Sequence, residues 1–218
     1  MLRSLVSFQA CAVAAAMLLL AFPSCAQDQP RKIAIEIDGK AEFDVIYRRA
    51  LSNATGAFLG GLIGAGIQAG IESDEDAEKR TVIYPYVAEQ AWRDVFINTM
   101  TDALAEKGLE PIWIEAGADP KPGTADMYLV LYPAKFGFRV VDTTSRMMAA
   151  FVEFEATYSS QPVSGKSKLA KEPFYVTDKS QVSYDQLLAD TAGINPRIES
   201  VLKMAARRLT NKVVYNIK

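Results

Sequence analysis

The chain has 218 residues, 50% hydrophobic and 23% charged, with two cysteines and no histidine. Its 24 basic and 26 acidic residues leave a formal charge of −2, so composition offers nucleic acid no basic surface. The apolar share excludes a disordered chain, and the missing histidine removes the usual general base, metal ligand and pH switch.

Residues 1–26 read MLRSLVSFQACAVAAAMLLLAFPSCA. Arg3 supplies positive charge, and the apolar run Cys11 to Phe22 is too short for the roughly 20 residues of a membrane-spanning helix. A positive start, a short apolar core and small residues after it make a secretory signal peptide. Two cleavage modes fit. Ser24 and Ala26 suit a cut after Ala26, whereas Cys25 stands where a bacterial lipoprotein carries its lipidated cysteine, behind a Phe22-Pro23-Ser24 that matches the lipobox only at Ser24. Either product lacks a free thiol, which is consistent with an oxidising compartment such as a bacterial periplasm.

The mature chain divides by composition. Residues 32–53 open with the alternating KIAIEID of a half-buried strand and continue from Asp44 as a short helical run. Residues 54–71 are rich in glycine, residues 72–80 (ESDEDAEKR) form a charged linker, and residues 81–218 form an α+β unit. Within that unit Ala88, Ala91, Trp92, Val95, Phe96, Met100, Ala103 and Leu104 make one helical stripe between Val87 and Lys107, closed by Gly108. Extended runs follow at Leu109–Glu115, Ala125–Val141, Arg146–Ser160 and Lys166–Thr177. In the third, Val152, Phe154 and Ala156 alternate with Glu153, Glu155 and Thr157, which favours an antiparallel sheet with one wet face. The end is helical, with Asn195 as cap, Pro196 at the first helical position, and Ile198, Val201, Leu202, Ala205, Leu209 and Val213 inward. The expected fold is therefore α+β: a mainly antiparallel sheet of four or five strands on two long helices, plus a glycine-rich helix or hairpin.

Gly56, Gly60 and Gly64 step by four, Gly66 and Gly70 repeat the step, and Gly61 lies among them. Glycine in a helix costs about 1 kcal/mol per site against alanine, so six of them require another backbone to approach closely. Three readings satisfy the pattern: a zipper that enters a membrane or self-associates, a hairpin packed on its own domain, or a loop. Motifs of chemistry are weak by comparison. Gly64–Ala69 matches a dinucleotide fingerprint but lacks the preceding strand. Ser200–Lys203 matches SxxK but lies on a core stripe. The acids of 72–78 lack the glycine of a calcium loop. Glu153 and Glu155 share an exposed strand face. Tyr132, Phe136 and Phe138, around Gly137, are the candidate lining of an apolar groove.

The order TVIYPYV, AWRDVFINTMTDALAEKGLEPI, ADMYLVLYPAKFGFRVV, MAAFVEFEATY and SGKSKLA resembles small periplasmic lipoproteins. In particular it is similar to the auxiliary lipoproteins of ABC-type envelope transporters, with a TolB N-terminal-like fold. The glycine segment resembles that of glycine-zipper outer-membrane lipoproteins. The first resemblance covers about 60% of the chain and implies a non-enzymatic adaptor at the outer membrane, with no catalytic residue to carry over.

These readings converge on an exported envelope protein on the periplasmic side, associated with the outer membrane, with no cofactor and no metal. Cys25 is the candidate lipidation site, and the six glycines are the candidate contact with a membrane or with a second copy. The expected partners are a membrane or envelope proteins. The second reading is a periplasmic module that binds a lipid or small molecule.

Overall fold

Arg31–Ile37 (β1) places Ile33, Ile35 and Ile37 on one face and Ala34 on the other, and all four are buried. A strand buried on both faces belongs in the middle of a sheet. β1 does lie between Leu109–Ile114 (β3) and Met127–Asp142 (β4), parallel to both. The computed structural model describes residues 30–46, 74–88, 91–118, 120–142, 144–162 and 170–217. The predicted signal peptide, Cys25, the glycines of 54–71 and the Ser164–Lys166 turn lie outside them.

The fold is α+β, with a six-stranded mixed sheet ordered β3-β1-β4-β5-β6. Met147–Ser159 (β5) and Glu172–Thr177 (β6) add the antiparallel half. The alternation of residues 152–157 had pointed to antiparallel pairing, which β5 makes with both β4 and β6, whereas the two leading strands run parallel to β4. Residues 42–46 are one of these. The helical run expected from Asp44 to Asn53 begins instead within the strand Glu42–Ile46 (β2), because Phe43 and Val45 alternate with Glu42 and Asp44 and pair with the second half of β4; residues 47–53 of that run lie outside the described residues.

β4 explains how two short strands share one edge. Its first half pairs β1 as far as Leu131, and its second half pairs β2 from Lys135. Pro133 falls in the gap, where no ladder needs its missing N–H, and the register with β5 shifts between Pro133 and Lys135. Such a bulge reverses which face successive residues occupy. Met127, Leu129 and Leu131 face the core before it, and Phe136, Phe138 and Val140 face the core after it.

Two helices cover that face. Ala91–Ala105 (α2) buries Phe96, Met100, Ala103 and Leu104, with Trp92 and Val95 partly covered. The 23-residue helix Ile194–Asn216 (α4) buries the whole stripe from Ile198 to Val213. Thr210 hides its hydroxyl by donating to the Ala206 carbonyl at 3.0 Å. Trp113 on β3 donates its indole N–H to Thr101 of α2 at 3.0 Å, locking helix to sheet. The connection from β3 to β4 crosses the opposite face: the Gly117 N–H donates to Glu36 at 2.8 Å, and the Tyr128 hydroxyl donates to the Lys121 carbonyl at 3.1 Å.

Two local expectations change, and one short helix is added. The charged stretch predicted as a linker folds from Asp74 to Ile83 as a helix (α1), with Ile83 in the core and Arg80 3.9 Å from Asp44. A short helix, Tyr184–Ala189 (α3), carries a full capping box between Ser183 and Gln186. Asn195 does not cap α4, which begins one residue earlier. Instead it accepts from the Ala88 N–H and donates to the Tyr86 carbonyl, both at 3.0 Å, tying the entry of α2 to α4.

Candidate functional site

The bulge in β4 decides the fate of the proposed groove. Phe136 and Phe138 are 0% exposed and point into the helix-covered core. Tyr132, on the other side of the bulge, faces away from the helices, under the Lys171 ammonium, which sits 3.4 Å from its ring centre. The three residues therefore do not line one surface. The sequence had grouped them as aromatic residues around Gly137, and the inserted residue parts them.

A small apolar crevice, with a cavity volume of about 20 Å³, does open nearby, on the core side between the start of α2 and the bulge. Trp92 and Phe96 form its helix wall, and Ile37, Ala41, Leu131, Pro133, Val152 and Phe154 form the rest, with Glu153 at the rim. Phe136 supports it from below: its ring lies 6.2 Å from Trp92 and 5.7 Å from Phe43. Phe96 meets Phe154 edge-on at 5.8 Å, and Phe154 stacks on Phe174 at 4.8 Å. Aromatic pairs of this kind fix ring positions beyond their burial, so the wall is rigid. Its walls offer hydrocarbon contact and no polar anchor beyond the rim.

The face away from the helices is polar and cationic over aromatic rings. Arg139 lies 4.9 Å from the Tyr175 ring centre and 5.8 Å from that of Phe151. Glu155 pairs with Lys171 at 3.5 Å. Glu153 keeps part of its surface in water, yet surrounding protein displaces enough solvent to push its carboxyl above the usual range, while Arg139 and Lys135 pull it down and Glu155 adds to the rise. Lys135 is itself held by Asp44 at 2.6 Å. Burial and the charge of Asp38 raise the Tyr132 phenol. A pair of hydrolytic carboxylates needs an open space between them for substrate. Here each carboxylate has cationic neighbours, which fits a satisfied surface better than an acid and base awaiting work.

A second hollow, of about 280 Å³, opens where β4 begins and α4 ends, lined by Asp126, Met127, Tyr158, Ser159, Ser160, Asn216 and Ile217. Among the described residues no group of three His, Cys, Asp or Glu side chains is placed to hold a metal, and no helix is long and apolar enough to cross a membrane. Sequence reasoning missed the crevice. Its helix wall was legible as the stripe Trp92–Phe96, but its opposite wall depends on the bulge.

No family model matches the chain, and no curated protein matches it. Among solved structures, a Xanthomonas campestris protein of family DUF330 is similar at 14% identity, over 88% of this chain and 89% of its own, with a TM-score of 0.46. A minor lipoprotein of Acinetobacter baumannii is similar at 10% identity, over 86% of this chain and 94% of its own, with a TM-score of 0.36.

Proposed function

We propose that this chain is a non-enzymatic bacterial envelope lipoprotein, anchored through Cys25, that acts as a membrane-associated adaptor or assembly component, auxiliary to an envelope transport system. The observation that carries the reading is the sequence pattern of residues 1–26, read here as an export signal, ahead in the chain of a folded unit that begins at Arg31. The glycine segment 54–71 supplies the contact with membrane or partner in this reading. Intact-mass measurement of the purified protein, with cell fractionation of wild type, Cys25→Ala and a deletion of 54–71, tests it. An acylated wild type in the membrane fraction and a soluble Cys25→Ala protein support it. A wild type that is unmodified, soluble and monomeric refutes it.

A second reading is a module that takes a lipid or small apolar molecule at the apolar crevice beside Trp92, which has to widen from its present cavity volume of about 20 Å³ to admit one. The chain has two tryptophans, so Trp113→Phe leaves Trp92 as the reporter. Addition of a long-chain fatty acid then shifts Trp92 emission to the blue if the crevice takes it, and leaves emission unchanged if it does not.

A further inference from the structure

We propose that the end of the domain at which β1 begins is a membrane-facing surface that rests on an anionic phospholipid leaflet, with Tyr215 in the headgroup layer. Several elements meet there. β1 and β3 start in register at Arg31 and Leu109, β4 starts beside them at Met127, and Arg31 donates to the carbonyl of Ile217 at the close of α4. Tyr215, in the last turn of α4, is 79% exposed, the most exposed of the large hydrophobic side chains described. A tyrosine that presents a ring and a hydroxyl together suits the boundary between water and lipid.

The charges of this end support the same occupant. Lys32, Lys107 and Lys121 are exposed and make no ion pair among the described residues. Two of the nearby carboxylates are already engaged: Asp126 accepts from the Lys32 backbone N–H at 2.7 Å, and Glu172 pairs with Lys212. Glu106 and Glu110 also lie here and limit the attraction, so contact with lipid needs a second hold. The lipoprotein reading provides one, and to that extent the surface rests on it. Between Cys25 and Arg31 lie only residues 26–30, a reach of about 20 Å at full extension. An acyl group on Cys25 therefore keeps this end close to the bilayer, where each free lysine is drawn to anionic headgroups.

The mature protein, with a thiol-reactive dye on the Tyr215→Cys or the Lys40→Cys variant, is mixed with phosphatidylglycerol vesicles that carry a headgroup quencher. Lys40 lies beyond the far end of β1, level with the middle of β4. The expected result is quenching of the dye at position 215 about threefold stronger than of the dye at position 40, with binding weakened about tenfold by Lys32→Glu with Lys121→Glu. Equal quenching at both dyes, or binding that ignores both charge reversals while far-ultraviolet dichroism shows an intact fold, overturns the surface. The intact mass of the wild type separates this from the anchor. An unmodified chain that still docks through position 215 keeps the surface and refutes the lipoprotein reading, and an acylated chain with equal quenching does the reverse.

Discussion

The carbonyl oxygen of Asp44 occupies the space beside Gly137 so closely that a Cβ there would lie 2.0 Å from it. Gly137 also has φ +147°, a conformation that side chains rarely adopt. Both facts follow from β2 pairing directly along β4, Asp44 against Gly137. Gly137→Ala must therefore push β2 from the sheet, and a loss of about 3 kcal/mol or more is expected in urea denaturation. Gly108→Ala is the matched control. Its φ is +71° with nothing within 4 Å of the new methyl, so only backbone strain of about 1–2 kcal/mol is expected. Equal losses for the two would mean that β2 does not pack as described.

Asn195 joins two backbone groups that have no other hydrogen bond among the described residues, the Ala88 N–H and the Tyr86 carbonyl. Asn195→Ala removes both bonds at a surface-exposed site, where water can replace part of each. A loss of about 1–2 kcal/mol is expected, together with faster amide exchange at Ala88. Asn195→Asp keeps the acceptor and loses the donor, so exchange at Ala88 should stay slow in that variant.

Helix α4 was legible because its stripe from Ile198 to Val213 obeys one period for its full length and every member is buried. The crevice was not, because its geometry turns on one inserted residue between Pro133 and Lys135. A period-two reading carried straight through that point joins Tyr132 to Phe136 and Phe138, which the fold separates. Strand direction was legible only in part: the alternation of β5 pointed to its antiparallel pairing. The alternation of β1 and β2 shows which residues are buried, but the parallel pairing comes from β4 being long enough to serve both. The α3 cap is a different case. Ser183 and Gln186 stand at the capping-box spacing and were readable. The charged run of α1 hid its helix because its anchors, Ile83 and the Arg80–Asp44 contact, come from the tertiary fold.

Tyr158 carries a hydroxyl that is buried and has no hydrogen-bond partner among the described residues. Burial and the neighbouring Glu172 both raise its phenol well above the ordinary range. A buried hydroxyl without a partner costs free energy that a hydrogen atom in its place does not. Tyr158→Phe is expected to leave stability unchanged or raise it by about 1 kcal/mol, measured as a shift of the urea midpoint at constant slope. A clear loss would reveal a partner for this hydroxyl.

Asp178 sets the response to acid. Burial acts to raise its carboxyl, but the Ser180 hydroxyl at 2.7 Å, the Ser180 N–H at 3.2 Å, the Lys179 N–H and the Ser200 hydroxyl outweigh that effect and hold it below the usual carboxylate range. A carboxylate whose pKa is lower when folded than when unfolded stabilises the fold above the unfolded value of about 3.9. That contribution disappears as pH falls through the lower folded value, because the protonated acid no longer accepts these bonds as a charge. Asp178→Asn should therefore lower the melting temperature at pH 6, and the gap to wild type should narrow between about pH 4 and pH 2. A gap that stays constant across that range would show that Asp178 acts through shape alone.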